Sequence, residues 1–343
     1  MPGVRAASKE ELPGAGVRKR VLARLVGLSA LVVCAVALSA GEARAQGLHG
    51  HESGESLSGP EIAAALAHSV TLWSAVLLAG LVAFAALVWF PVAREAGGER
   101  MFARLGWTFF GVLVVAGLVE VSLYAVRASG ESLTPAIFGE ALFGTRVGGI
   151  WLLRLLLAFL TALAAGLAFR RGRRAYRWLA LGLGCATLMT LTQLSHAAAE
   201  SRFVPFFADW LHVVAASVWV GGVLGFAALL LGPFRTRPEG KRLLLGKAVR
   251  RFSGVASVAV VVLLASGIYA SLLHLPDFSA LIGSPYGRAL IMKLGLVLIM
   301  LSVGAINMMD RGKDPFGRMV GAELALVFAV FVATGFLTSI PPP

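Results

Sequence analysis

Six histidines in a strongly apolar chain are the first residues to ask about, because their placement suggests what they do. The run Asp209-Trp210-Leu211-His212-Val213-Val214-Ala215-Ala216-Ser217-Val218-Trp219-Val220-Gly221-Gly222 sets an acid and an imidazole at the start of an otherwise apolar helix. At helical spacing Asp209, His212, Ala216 and Trp219 share one stripe, and an ionisable group at membrane depth marks a functional site unless it only caps or anchors the helix. A second set, Cys185, Met189, Thr192 and His196, follows i, i+4, i+7, i+11, the spacing of one helical face running from a thiol to an imidazole. Met292 supplies a further thioether. Imidazole is the commonest protein ligand for copper and zinc, and thioether or thiolate favours Cu(I), so the set suits the passage of a soft metal. Methionine and cysteine also fill gaps in ordinary apolar packing, and Asp209 would serve equally as a helix cap.

The elements that must carry these groups are membrane spans. Of the 343 residues, 58% are hydrophobic and 14% charged, against roughly 25% charged in a soluble domain. The fold class expected is therefore all-α, a polytopic transmembrane helix bundle. About eight stretches are long enough to cross a bilayer, roughly 66–90, 105–127, 148–169, 178–199, 209–231, 252–274, 288–308 and 319–339. They form one membrane domain over 66–343. Ahead of it, Arg18, Lys19, Arg20 and Arg24 precede the apolar run Leu25 to Leu38 and then Ala43-Arg44-Ala45, the pattern of a signal peptide over 1–45 cleaved before Gln46. A retained anchor would leave the orientation the same. Residues 46–65 then form an exposed polar tail with His49 and His51, and with Cys34 removed Cys185 has no partner for an intramolecular disulfide.

Orientation follows from the basic residues. The loops 91–104, 170–177, 232–251 and 309–318 hold eighteen Lys and Arg, whereas the alternate loops hold only Arg127, Arg146, Arg202 and Arg288. The first set is cytoplasmic by the positive-inside bias, and both mature termini face outward. On that frame His68 starts the first span, His196 ends the fourth, His212 starts the fifth and His274 ends the sixth, so all six histidines lie on the outer side. Glu120 and Arg154 lie at similar depth in the second and third spans, where a charge pair would lower the cost of burying either. Lys293 lies near enough to an outer helix end to snorkel.

Absent motifs exclude other classes. No Gly-x-x-x-x-Gly-Lys-Ser/Thr loop occurs, so no nucleotide-driven engine is visible, and neither Cys-x-x-Cys nor His-Glu-x-x-His is present. The formal charge of +13 sits in short loops rather than in an aromatic-studded basic domain, which argues for anionic lipid and against nucleic acid. Nothing in the pattern points to an enzyme.

The block around Asp209, His212, Trp219, Gly221 and Gly222, then Arg251-Phe252-Ser253 opening a span with Ser266-Gly267 near its end, then Pro285-Tyr286-Gly287-Arg288 with Lys293 and Asn307, resembles the copper resistance D (CopD) family. Gly149-Ile150-Trp151 with Arg154, and Ser195-His196-Ala197-Ala198, are similar to its pattern as well. The resemblance is best from about 195 to 310 and implies a protein of the bacterial cytoplasmic membrane, associated with copper uptake or tolerance, often beside a separate periplasmic copper-binding protein. Taken with the residues, it leads us to expect His196 and His212 at an outer copper site, with His68 and His274 as further ligands, Asp209 orienting His212, and Met189, Met292 and Cys185 below. Two other readings fit the same histidines: bis-histidine ligation of haem in an electron-transfer protein, and a copper-responsive membrane partner that does not transport.

The orientation makes a direct prediction. In intact cells Gly240→Cys should resist an impermeant thiol reagent and Ala280→Cys should react; the reverse labelling would place every histidine on the cytoplasmic side.

Overall fold

The computed structural model describes residues 59–93, 98–194, 203–232 and 239–274, with short helical pieces between 282 and 302. The signal region, the tail with His49 and His51, His196, Lys293, the side chain of His274, most of the seventh expected span and all of the eighth lie outside the described residues.

The described chain is helical throughout and contains no strand among these residues, as its composition leads one to expect. Helix α1 is Gly59–Phe84, prolonged through a π-helical turn at Ala85–Trp89 and a last turn at Phe90–Val92. It is followed by α2 (Glu99–Ser129), α3 (Pro135–Phe143), α4 (Arg146–Arg171), α5 (Arg174–Thr192), α6 (Phe203–Leu231) and α7 (Glu239–His274). Among the described residues five stretches are long and apolar enough to cross a membrane: Leu66–Val92, Glu99–Ser129, Arg146–Arg171, Phe203–Leu231 and Leu243–Leu273. Helix α5, at 19 residues, is about 28 Å long, close to the thickness of the hydrocarbon core, and its threonines make it more polar.

Helix α3 falls in the loop between the second and third expected spans, where no helix was expected. Its start is nevertheless written locally: Thr134 Oγ1 accepts from the Ile137 amide, and Pro135 occupies the first turn, where its missing N–H costs nothing. Thr145 then links α3 to α4, donating to the Ala141 carbonyl at 2.6 Å while accepting from the Gly148 amide at 3.0 Å.

In lipid, helices gain little from burying apolar surface against each other, so association rests on close packing. Helix α1 is the hub. It packs on α2, α5 and α6, and 72% of its most apolar stretch is buried, against 28% for α2 and 11% for α7. The tightest place is its crossing with α6. A Cβ added at Gly80 would overlap the Ser217 carbonyl and the Gly221 Cα, and one added at Gly221 would overlap the Gly80 backbone. Toward the basic end of the bundle, Phe84 of α1 meets Phe102 of α2, Phe226 of α6 and Phe252 of α7 edge-on, with ring centroids 5.9, 4.9 and 6.4 Å away.

The π-helical turn has an identifiable cause. Pro91 has no N–H for the carbonyl of Leu87, four residues back. The Arg251 guanidinium fills that role, donating through Nε to the Leu87 carbonyl at 2.5 Å. Arg251 and Phe252 thus pin the start of the sixth span to the π-helical end of the first.

The crossing predicts an asymmetry among glycines. Gly221→Leu should cost at least about 3 kcal/mol, because backbone on both helices would have to move, whereas Gly111→Ala, which meets nothing within 4 Å, should stay within about 0.5 kcal/mol of the parent. Reversible unfolding in mixed micelles measures both; equal effects would mean that the two helices do not touch there.

Candidate metal-handling site

The helices alternate in direction, so the starts of α1, α4 and α6 meet the ends of α2, α5 and α7. That end holds His68 and His212, the histidines whose side chains are described.

His68, in the first membrane turns of α1, bonds through Nδ1 to Glu120 Oε1 on α2 at 2.8 Å, its side chain 47% exposed and that of Glu120 19%. The carboxylate accepts, so Nδ1 carries a proton, and in the neutral ring Nε2 is then the nitrogen with the lone pair. His212 on α6 is set by a different partner with the same outcome. Ser266 Oγ on α7 donates to the Val262 carbonyl at 2.6 Å, which commits its only proton. The 2.9 Å contact between Ser266 Oγ and His212 Nδ1 is therefore Nδ1–H donating to the hydroxyl oxygen. Gly267 leaves room beside the ring, the His212 Cε1 lying 3.7 Å from where a Cβ would stand. Anchoring the imidazole through Nδ1 so that Nε2 can coordinate is how metal-ligating histidines are commonly oriented.

Glu120 and Arg154 do not pair directly. Arg154, fully buried, turns to the end of α5, where Nε donates to Thr190 Oγ1 and Nη2 to the Thr190 carbonyl, both at 3.1 Å. The reason is helix termination. Thr190 lies in the last turn of α5, whose carbonyls lack an intrahelical donor, and a cation there also complements the helix dipole. Glu120, on the far side, takes His68. Thr71, one turn along α1, borders the same carboxylate, and Thr71 Oγ1, Glu120 Oε2 and Arg154 Nη1 are buried polar atoms with no hydrogen-bond partner.

The second expected stripe ends early. Helix α5 stops at Thr192 instead of continuing to 199, because Thr190 and Thr192 turn their hydroxyls onto the carbonyls of Thr187 and Met189 and the Leu194 amide closes a tighter turn on Leu191. His196, expected at the outer end of that face, lies outside the described residues. Within the helix Met189 is 38% exposed and Thr192 1%, so the two do not share an environment. Cys185 is a half-buried free thiol whose carbonyl accepts from Trp210 Nε1 at 3.0 Å, tying α5 to α6. Asp209, Trp219 and Met292 are half-buried. Among the described residues no three His, Cys, Asp or Glu side chains converge as a metal cage.

Comparison with known proteins places the chain. A model described as copper resistance protein D-like, N-terminal domain, matches residues 56–202, and one for copper resistance protein D matches residues 246–337. The chain belongs to the copper resistance protein D family. It is 30% identical over 284 residues to the copper transport protein CutJ of Bacillus subtilis (strain 168), covering 78% of this chain and 52% of that protein. It is 27% identical over 239 residues to the copper resistance protein D of Pseudomonas syringae pv. tomato, covering 67% and 76%, and 28% identical over 228 residues to the inner membrane protein YebZ of Escherichia coli (strain K12), covering 59% and 71%. The chain thus spans about half the length of CutJ. No solved structure matches it. The family models take in His68, Glu120, Arg154 and Ser266, while α6 with His212 falls between the two matched stretches.

Two partners escaped sequence reasoning. Glu120 was set against Arg154 rather than His68, although His68 and Glu120 lie at the same end of adjacent antiparallel spans. Ser266 was noted only as part of a motif. The tautomer assignment is open to test by nitrogen NMR on histidine-labelled protein in nanodiscs. Both rings should show a protonated Nδ1; Ser266→Ala should release His212 into a mixture of tautomers at a stability cost of only about 0.6 kcal/mol, and leave His68 unchanged. A protonated Nε2 in the parent protein would refute the assignment.

Proposed function

We propose that this protein handles copper at the bacterial cytoplasmic membrane, taking the ion on the outer side and passing it inward. The observation that carries the reading is the shared preparation of His68 and His212: each ring is oriented through Nδ1 by a side chain of a different neighbouring helix. Membership of a family whose members include a copper transport protein and a copper resistance protein supports copper as the ion.

In this reading His196 and His212 form the outer site, with His68 and His274 as further ligands. Glu120 and Ser266 orient His68 and His212, and Asp209 is a further support for His212. Met189 and Met292 accept Cu(I) beneath the mouth, with Cys185 deeper still, since soft ligands stabilise that oxidation state. The basic loops face the cytoplasm, and a separate periplasmic copper-binding protein delivers the ion. The protein performs no catalysis in this account.

Ligands that act as one unit are strongly non-additive. His196→Ala or His212→Ala should each lower copper accumulation, per amount of protein in the membrane, by at least about tenfold, and the double variant should lose little more. Trp219→Ala, which disturbs packing without removing a ligand, should have a smaller effect. Mild, additive losses at the two histidines with normal protein levels would rule out a shared site.

A further inference from the structure

The opposite end of the bundle carries a site of different chemistry. Between the first turns of α2 and the last turns of α4 lies a groove of about 720 Å3, whose walls include Arg100, Arg104, Trp107, Leu163, Gly166 and Arg170. Glu99 is the only carboxylate among its described lining residues. Arg100 and Arg104 are one helical turn apart, and Arg170 faces them from the antiparallel neighbour; all three are exposed, and none makes a side-chain hydrogen bond or ion pair among the described residues. Trp107 lies about 4.5 Å further along the helix than Arg104 and is 40% exposed. Gly166 keeps the floor open, since the nearest atom to a Cβ there is Trp107 Nε1 at 4.0 Å. Beyond the groove the outer surface continues as Phe110, Phe159 and Trp107, with ring centroids 5.7 to 5.8 Å apart, bordered by exposed Leu156.

We propose that this groove binds an anionic phospholipid. The three guanidiniums clasp its phosphate and the acidic or second-phosphate part of its headgroup, and an acyl chain lies over Leu163 and the aromatic strip. The order of the layers carries the argument. Arginines with no side-chain partner among the described residues stand at the helix ends, where headgroups lie, an indole with a polar tip comes next, and bare apolar side chains follow at hydrocarbon depth. A soluble anion would use the first layer and leave the other two without a role, and a second copy of this chain would bring its own arginines against these three. Guanidinium suits the site because it pairs with phosphate oxygens in a bidentate fork and stays charged. The inference is independent of what the histidine end does.

The test uses the full-length protein in nanodiscs of phosphatidylcholine doped with phosphatidylglycerol or cardiolipin, with bound lipid counted by native mass spectrometry after gentle release. The parent should retain the anionic lipid selectively. Arg104→Gln combined with Arg170→Gln should bind it roughly thirtyfold more weakly, and Gly166→Leu, which fills the floor without touching charge, should also expel it. Arg250→Gln, an exposed arginine elsewhere at the same end, should change nothing. A photoactivatable phosphatidylglycerol on the unaltered protein should crosslink to peptides containing Trp107 and Leu163, a readout that does not depend on any variant folding. Anionic lipid retained equally by the groove variants and the Arg250 control, crosslinks scattered away from the groove, or a dimer that buries it would each overturn the proposal; displacement of the lipid by inorganic phosphate alone would reduce it to a plain anion site and overturn it too.

Discussion

The contact between Gly80 and Gly221 governs the rest of the bundle. In a bilayer two apolar helices have little reason to prefer each other to lipid, so the depth to which their backbones approach decides how many dispersion contacts form. At this crossing neither helix presents a side chain, and α6 lies against the middle of α1. The approach sets the ends of both helices as well. It seats Phe226 of α6 against Phe84 at one end, and at the other it packs Trp210, Val213 and Val214 of α6 on the α1 cluster around Ala75 and Val76. Helix α7 follows because it packs on α6, and its Ser266 is thereby delivered to His212.

The two ends of the bundle solve the burial of polar groups in different ways. At the histidine end four side chains are held by a neighbouring helix: His68 by Glu120, His212 by Ser266, Arg154 by the end of α5, and the Trp210 indole by a Cys185 carbonyl. Such bonds are individually modest in membranes, but here they fix ring orientation and tautomer, which matters for coordination chemistry more than their energy does. At the basic end Arg251 satisfies the carbonyl that Pro91 strands, and Arg177 lies 5.4 Å over the Phe90 ring. Arg100, Arg104 and Arg170 instead face outward, toward the bilayer surface.

The helix α5 shows how helix termination and site design interact. Its threonine hydroxyls compete for backbone carbonyls and bring the helix to an end at Thr192, which leaves the Thr190 carbonyl for Arg154.

Composition and hydropathy by themselves determined the class of this protein, because a chain with so few charges and long apolar runs can satisfy its backbone in lipid only as helices. The observed helices Glu99–Ser129, Arg146–Arg171 and Phe203–Leu231 enclose the stretches read from hydropathy, and the motif residues sufficed to suggest the family. Their types also marked His68, His212, Glu120 and Arg154 as the groups needing explanation. Which of them meet was not legible. Depth along a helix can be counted from sequence, but the direction in which a side chain points around the bundle depends on helix rotation and neighbour order. Thus Glu120 and Arg154 share a depth and an attraction, yet Glu120 faces α1 and Arg154 faces α5. Nor could periodicity reveal that α5 would stop at Thr192, since the apolar pattern runs on past the point where threonine hydroxyls and a buried guanidinium close the helix. Sequence sets the solvent and the inventory of groups; the packing of α1 against its neighbours decides their partners, because only there do distance and direction become definite.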